Sequence, residues 1–261
     1  MYSNPIDMIF TSLADAKRQT GISYMGQVNN GAKHKKAFNY NELVYTIYFA
    51  PAKCSGYEVC PGRTPQCSAA CLNMSGQNRM DIHRNMINNA RVRKTKLFFE
   101  DRDFAVRWII DEIDAAMVKA RRLGYAFSVR LNNTSDISPE EFYIYNEWGI
   151  KQNILQIFPD VQFYDYTKVP SRIELLKKYP NYDLTFSFNG MNEEICKGML
   201  RHNVRVAVVF NGTLPDTFMD HPVINADLYD MRYKDSKNVI AGLHYKRVRT
   251  KLKPDNKFVI Q

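Results

Sequence analysis

The chain has 261 residues, 45% of them apolar, enough to bury a sizeable core as one large domain or two. No run of about eighteen apolar residues is present, so no transmembrane helix is expected, and residues 1–7 lack the basic and apolar regions of a signal peptide. A formal charge of +9 favours an anionic partner, nucleic acid or nucleotide first among them, in a soluble cytoplasmic protein.

In chain order, residues 1–42 read as a polar lead-in with a short helix near 9–19. Its basic stretch, Lys33, His34, Lys35 and Lys36, reads as a solvated, mobile surface within reach of phosphates. Residues 43–261 read as one α/β domain. The β-branched and aromatic run 43–50 predicts a buried strand, followed by a cysteine-rich loop over 51–76. Residues 79–98 predict the most basic helix of the chain, with Arg84, Arg91, Arg93 and Lys94 on its faces as nucleic-acid contacts. Asp101 or Asp103 is placed to cap a second helix, which Gly124 stops after Leu123.

Strands and helices then alternate. Strands are expected over 125–131, 161–166, 182–188 and 204–210, with short ones near 223–228 and 239–245. Helices are expected over 139–148, 171–179 and 191–202. Such alternation with short connections predicts a mostly parallel sheet, here an incomplete or irregular (β/α) barrel of about six or seven strands.

Four of the five cysteines fall in one loop, spaced C-x5-C-x6-C-x3-C at Cys54, Cys60, Cys67 and Cys71. Clustered thiols in a reducing compartment point to a zinc ion or an iron–sulfur cluster before disulfides. The spacing is neither that of a zinc ribbon nor that of a ferredoxin. Cys196 stands apart in an apolar helix pattern and reads as a buried thiol.

In parallel sheets ligands gather at the carboxyl ends of the strands. Those ends carry Asn132, Thr134, Ser135 and Asp136, then Asp165 and Lys168, then Asn189, and later Asp227 and Asp230. Singly such residues cap helices and turns; together, beside the cysteine loop, they outline a site. Tyr164 and Tyr166 are read on opposite strand faces, at most one pointing into a barrel.

The string from Tyr48 to Pro61, then Cys67-Ser-Ala-Ala-Cys71 to Gly76, resembles the phage "gene product 88" proteins. Residues 91–99, 129–137 and 163–168 continue the resemblance, which covers most of 45–245. It implies phage or mobile-element origin, a host-cell cytoplasmic setting, and a shared motif matched by Cys60, Cys67 and Cys71. A parallel barrel whose first strand leads into three cysteines is more remotely similar to radical S-adenosylmethionine enzymes. Their three thiolates leave one iron of a [4Fe–4S] cluster open for the cofactor.

Three functions follow. The first is an iron–sulfur enzyme acting on nucleic acid or nucleotide: Cys60, Cys67 and Cys71 hold a [4Fe–4S] cluster, Asp136, Asp165 and Lys168 are catalytic, and Asn132, Thr134, Ser135 and Asn189 bind cofactor, S-adenosylmethionine included. The second is a nucleic-acid-binding protein in which Cys54 completes a closed zinc or cluster site. The third is a magnesium nuclease using Asp136, Asp165, Asp227 or Asp230. No P-loop, G-x-S-x-G or H-E-x-x-H motif is present.

Overall fold

The computed structural model describes residues 10–75, 81–248 and 251–261, with side chains omitted at 32, 74 and 81–84. The lead-in supplies α1 (Leu13–Thr20), the strand β1 (Gly26–Val28) and a short α2 (Ala32–Lys35) before β2 (Glu42–Ile47). The cysteine loop contains α3 (Pro65–Ala69). Two long helices follow, α4 (Asp81–Glu100) and α5 (Arg102–Leu123), and then β3 (Ala126–Arg130). Asp101 caps α5 by accepting from the Phe104 amide at 3.2 Å, and Gly124 ends it at φ 65°.

Residues 139–148 correct one expectation. They form no long helix but a hairpin, β4 (Tyr143–Tyr145) against β5 (Lys151–Asn153). Asn146 accepts from the amides of Trp148 and Ile150, and Gly149 takes φ 71°. Turn residues between aromatic and β-branched flanks outweigh the apolar spacing that suggested a helix. The chain continues through α6 (Ile154–Ile157), β6 (Gln162–Thr167), α7 (Leu175–Lys178), β7 (Tyr182–Ser187), α8 (Glu193–Arg201) and β8 (Val206–Phe210). It closes with β9 (Thr217–Phe218), β10 (His221–Asn225), β11 (Ile240–His244) and β12 (Val259–Ile260).

The fold is mixed α/β around one ten-stranded sheet in the order β1-β2-β3-β6-β7-β8-β11-β10-β9, with β12 also on β8. Seven strands from β2 to β10 run parallel, while β1 and β9 lie antiparallel at the two ends. The sheet therefore keeps two edges and is not a closed barrel. No helix among the described residues is long and apolar enough to cross a membrane.

Strand side chains alternate, so the sheet has two distinct faces. Tyr45, Ile47, Val129, Phe163 and Leu184 pack with Phe98, Trp108, Ile109 and Ile113 in the main apolar core under α4 and α5. The opposite face carries Glu42, Thr46, Ser128, Arg130, Tyr164, Asp183, Thr185 and Arg205, all buried. The segment after β10 covers it: Met231 packs on Val44 and Tyr164, Lys234 pairs with Glu42 at 2.5 Å, and Arg205 donates to the Asp235 carbonyl. Beyond Ser187 and Ala207, β7 and β8 part, and β12 takes the vacated place beside Val209 and Phe210.

Candidate functional site

The cysteine loop leaves the carboxyl end of β2 and folds back over the ends of its neighbours. Val59 is fully buried in the main core, and its carbonyl accepts from the Asp136 amide at 2.7 Å. Gly62 lies so close to the chain at Lys168 that a Cβ would stand 2.7 Å from the Lys168 carbonyl oxygen, so only glycine fits. Thr64 caps α3 through the Cys67 amide and donates to the Asn189 carbonyl at 2.9 Å. Asn256, ahead of β12, donates to the Gln66 carbonyl. The loop is thereby pinned to β3, β6, β7 and β12.

Within it, Cys60, Cys67 and Cys71 are half-buried and Cys54 is exposed. The Cys60 sulfur accepts from the Ala52 amide at 3.4 Å and lies 3.7 Å from the Thr134 carbonyl. Burial pushes the Cys60 thiol up to about 12, with the Cys71 charge adding to the rise and Lys168 opposing it. Cys71 is raised by burial too, and it feels Cys67, Lys168 and Arg91. The three thiols and the Lys168 ammonium thus share one electrostatic neighbourhood. At neutral pH such a thiol stays protonated, which makes Cys60 a poor free nucleophile. A bound cation reverses that balance, because coordination deprotonates a thiol. Among the described residues no three His, Cys, Asp or Glu side chains stand already at metal-ligating positions.

The polar residues expected around this loop are mostly committed to one another. Asn132 is buried; its side chain holds the Ile137 amide and carbonyl and donates to Asp165, and Ser135 donates to it at 2.7 Å. Thr134 donates to the Phe49 carbonyl, and Asn189 accepts from the Met191 amide. Asp136 does not cap the turn at Pro139. It accepts from the Lys168 amide at 2.9 Å and pairs with Arg172, tying the β3 and β6 ends together. Asp165 shares the helix-covered face with Phe163 rather than facing a lumen. Burial pushes its carboxyl up to about 7, against the hydrogen bonds from Asn132 that pull it down. Its contacts are those of a structural knot, not of a group open to substrate. Of the three expected catalytic residues, Lys168 and Asp136 both act on the Cys60 thiol, Lys168 favouring its ionised form and Asp136 opposing it.

On the basic helix, two of the four expected nucleic-acid contacts, Arg91 and Lys94, are turned inward. Lys94 is 6% exposed, its ammonium 3.9 Å from the centre of the Tyr24 ring, and burial brings it down to about 7. Arg91 is half-buried, stacks over Tyr48 at 5.0 Å and donates to Asn73. Arg93 is exposed, and the Arg84 side chain lies outside the described residues. The carboxylates proposed for magnesium are dispersed: Asp227 accepts from His244, while Asp230 is surrounded by Lys33, His34 and Arg130.

That second cluster went unread in the sequence. His34 is 2% exposed and its Nε2 lies 3.0 Å from Asp230, so the stretch is anchored there, while Lys35 and Lys36 stay exposed as the surface reading expected. Tyr164 and Tyr166, two residues apart, share the polar face, correcting the reading that separated them. Arg91, Tyr48 and His34 link this cluster to the cysteine loop, the Tyr48 hydroxyl lying 3.4 Å from His34 Nδ1.

A family model described as Gene product 88 matches residues 18–259, a span that includes both clusters. The chain belongs to the Gene product 88 family. The match to this phage gene-product family begins ahead of the resemblance visible in the sequence and ends at Val259, the first residue of β12. No curated protein and no solved structure matches the chain. The comparisons give the radical S-adenosylmethionine likeness no support.

Proposed function

We propose that this Gene product 88 chain is a metalloprotein whose ion or cluster is held by Cys60, Cys67 and Cys71, and that it acts as an enzyme on a nucleotide or nucleic acid. One observation carries the reading: three half-buried thiols lie on one loop that is pinned by hydrogen bonds to the strand ends after β3 and β7. Three thiolates suit a [4Fe–4S] cluster with one open iron; such a centre supplies Lewis-acid or one-electron chemistry to a ligand beside it. Lys168 would balance the thiolate charge or position an anionic ligand. S-adenosylmethionine as that ligand rests only on the likeness of a parallel sheet whose strand leads into a three-cysteine loop.

The closed four-cysteine zinc or cluster site finds less support, because Cys54 is exposed and Lys94, part of its nucleic-acid surface, is buried. The nuclease finds less still, since each candidate carboxylate already has its own partners. Anaerobic purification followed by iron, acid-labile sulfide and zinc analysis tests the proposal. Iron with sulfide in near-equal amounts is expected. Zinc at one per chain would move the reading to a structural site, and a metal-free folded chain would end it.

A further inference from the structure

The polar face holds a group of side chains that the proposed metal centre does not use. Arg130 ends β3. Tyr166 stands next to last in β6, and Thr185 is its Cα partner on β7. The Arg130 guanidinium lies over the Tyr166 ring at 4.7 Å, and the Lys33 ammonium over the same ring at 6.0 Å. The four side chains therefore form one contiguous patch at the carboxyl end of the sheet.

Charge in this patch is unbalanced. Fully buried Asp230 receives Lys33 at 3.2 Å, Arg130 at 2.5 Å and the Tyr164 hydroxyl at 3.2 Å. Burial alone would raise its carboxyl, but the Arg130, Lys33 and His34 charges hold it well below the usual carboxylate range. Two cations thus pair directly with one carboxylate, before His34 is counted; Asp227, shared with His244 and Lys246, and Asp165 act on them only at longer range. The neighbouring Arg232 does not add to the surplus, because it brings its own counter-ion, Asp235, at 2.9 Å.

Hydrogen bonding is incomplete in the same place. Arg130 Nε, the Tyr166 hydroxyl and the Thr185 hydroxyl are buried without a hydrogen-bond partner among the described residues. Arg130 is 9% exposed and Thr185 fully buried. A buried polar group left unpaired costs about 1–3 kcal/mol, more when charged. Unpaired donors together with surplus positive charge match one kind of ligand: a compact anion with several acceptor oxygens. The Lys33 side chain, 18% exposed, leaves a way in from solvent.

We propose that Lys33, Arg130, Tyr166 and Thr185 bind the phosphate of a small phosphomonoester at the carboxyl end of the sheet. A dianionic phosphate answers both the charge surplus and the unused donors; a carboxylate has fewer oxygens for them. The proposal rests on the metalloenzyme reading only for what the bound molecule is used for, since the patch itself contains no cysteine.

Calorimetric titration of the purified chain with AMP, inorganic phosphate and succinate, metal content being measured on the same sample, is the test. Wild type should bind AMP and phosphate and prefer both to succinate. Lys33→Gln should weaken AMP about tenfold, as losing a charge-assisted contact does. Tyr166→Phe removes a hydroxyl that has no partner, so it should weaken AMP roughly threefold and leave the melting temperature unchanged. Its unaltered fold keeps the test decisive if the Lys33 variant is unstable. No binding of AMP or phosphate at millimolar concentration, a preference for succinate, or unchanged AMP affinity in both variants would each overturn the proposal. A metal-free sample that binds AMP fails the metal reading and spares this one; a metal-loaded sample that does not bind fails this one alone.

Discussion

The two faces of the central sheet are built from alternate residues of the same strands yet solve opposite problems. On one, Tyr45, Val129, Phe163 and Leu184 meet α4 and α5 in an apolar core whose burial drives folding. On the other, Glu42, Arg130, Asp183, Arg205 and Asp230 are buried just as deeply but must be paired within a covering loop. Buried ion pairs roughly offset their own desolvation, and an apolar face of equal volume would serve stability as well. The contrast teaches where to look for function: the face that stability alone would not choose lies next to the cysteine loop.

The largest effect should come from breaking a charge set on the polar face. Asp230→Ala leaves Lys33 and Arg130 without their carboxylate and should cost about 3–5 kcal/mol in urea unfolding. A loss below about 1 kcal/mol would mean that the cluster is not desolvated, and the contrast between the faces would fail.

A middle effect is expected at the rim that both faces share. Asp136→Asn keeps an acceptor for the Lys168 amide but removes the charge facing Arg172, in a pair about one-tenth exposed on each side. The cost should be about 2–3 kcal/mol, toward the low end for a partly wet pair. If stability is intact but metal content falls, Asp136 serves the centre directly rather than joining strand ends.

A third effect, small at any one pH step, is a slope, and it comes from the apolar side. Lys94, brought down to about 7 by burial, gives up its proton in the folded chain well before it does so in the unfolded one, at about 10.4. Between those values the unfolded state binds more protons, so stability should rise with pH, by up to about 1.4 kcal/mol per unit. Lys94→Met keeps the packed stem and should flatten that rise in melting curves taken at pH 7, 8 and 9. Equal slopes in the two proteins would show that Lys94 keeps an ordinary charge.

Much of this frame was legible in the sequence. The Asp101 cap, the Gly124 stop and the Phe104-Trp108-Ile109-Ile113 stripe specify α5, and apolar runs between turn residues mark the parallel strands. Asp165 reads as a site residue from its place at a strand end, whereas strand period two sets it with Phe163 on the covered side. Other features have no local signature. The Lys33–His34 insertion depends on Asp230, almost two hundred residues away, and the fit of β12 depends on the parting of β7 and β8. Inward-facing Arg91 and Lys94 are spaced like surface cations, and only the presence of Tyr48 and Tyr24 beneath them turns them in.

The central claim, a centre built on three of the four loop cysteines, is tested most directly by metal content per folded chain in four single variants prepared anaerobically side by side. Cys60→Ala, Cys67→Ala and Cys71→Ala should each lose the metal, with lower stability because metal-binding energy is also folding energy. Cys54→Ala, altering an exposed side chain, should keep both metal and fold. Loss of metal in Cys54→Ala equal to that in the other three would show a closed four-cysteine site and contradict the open centre proposed for this chain.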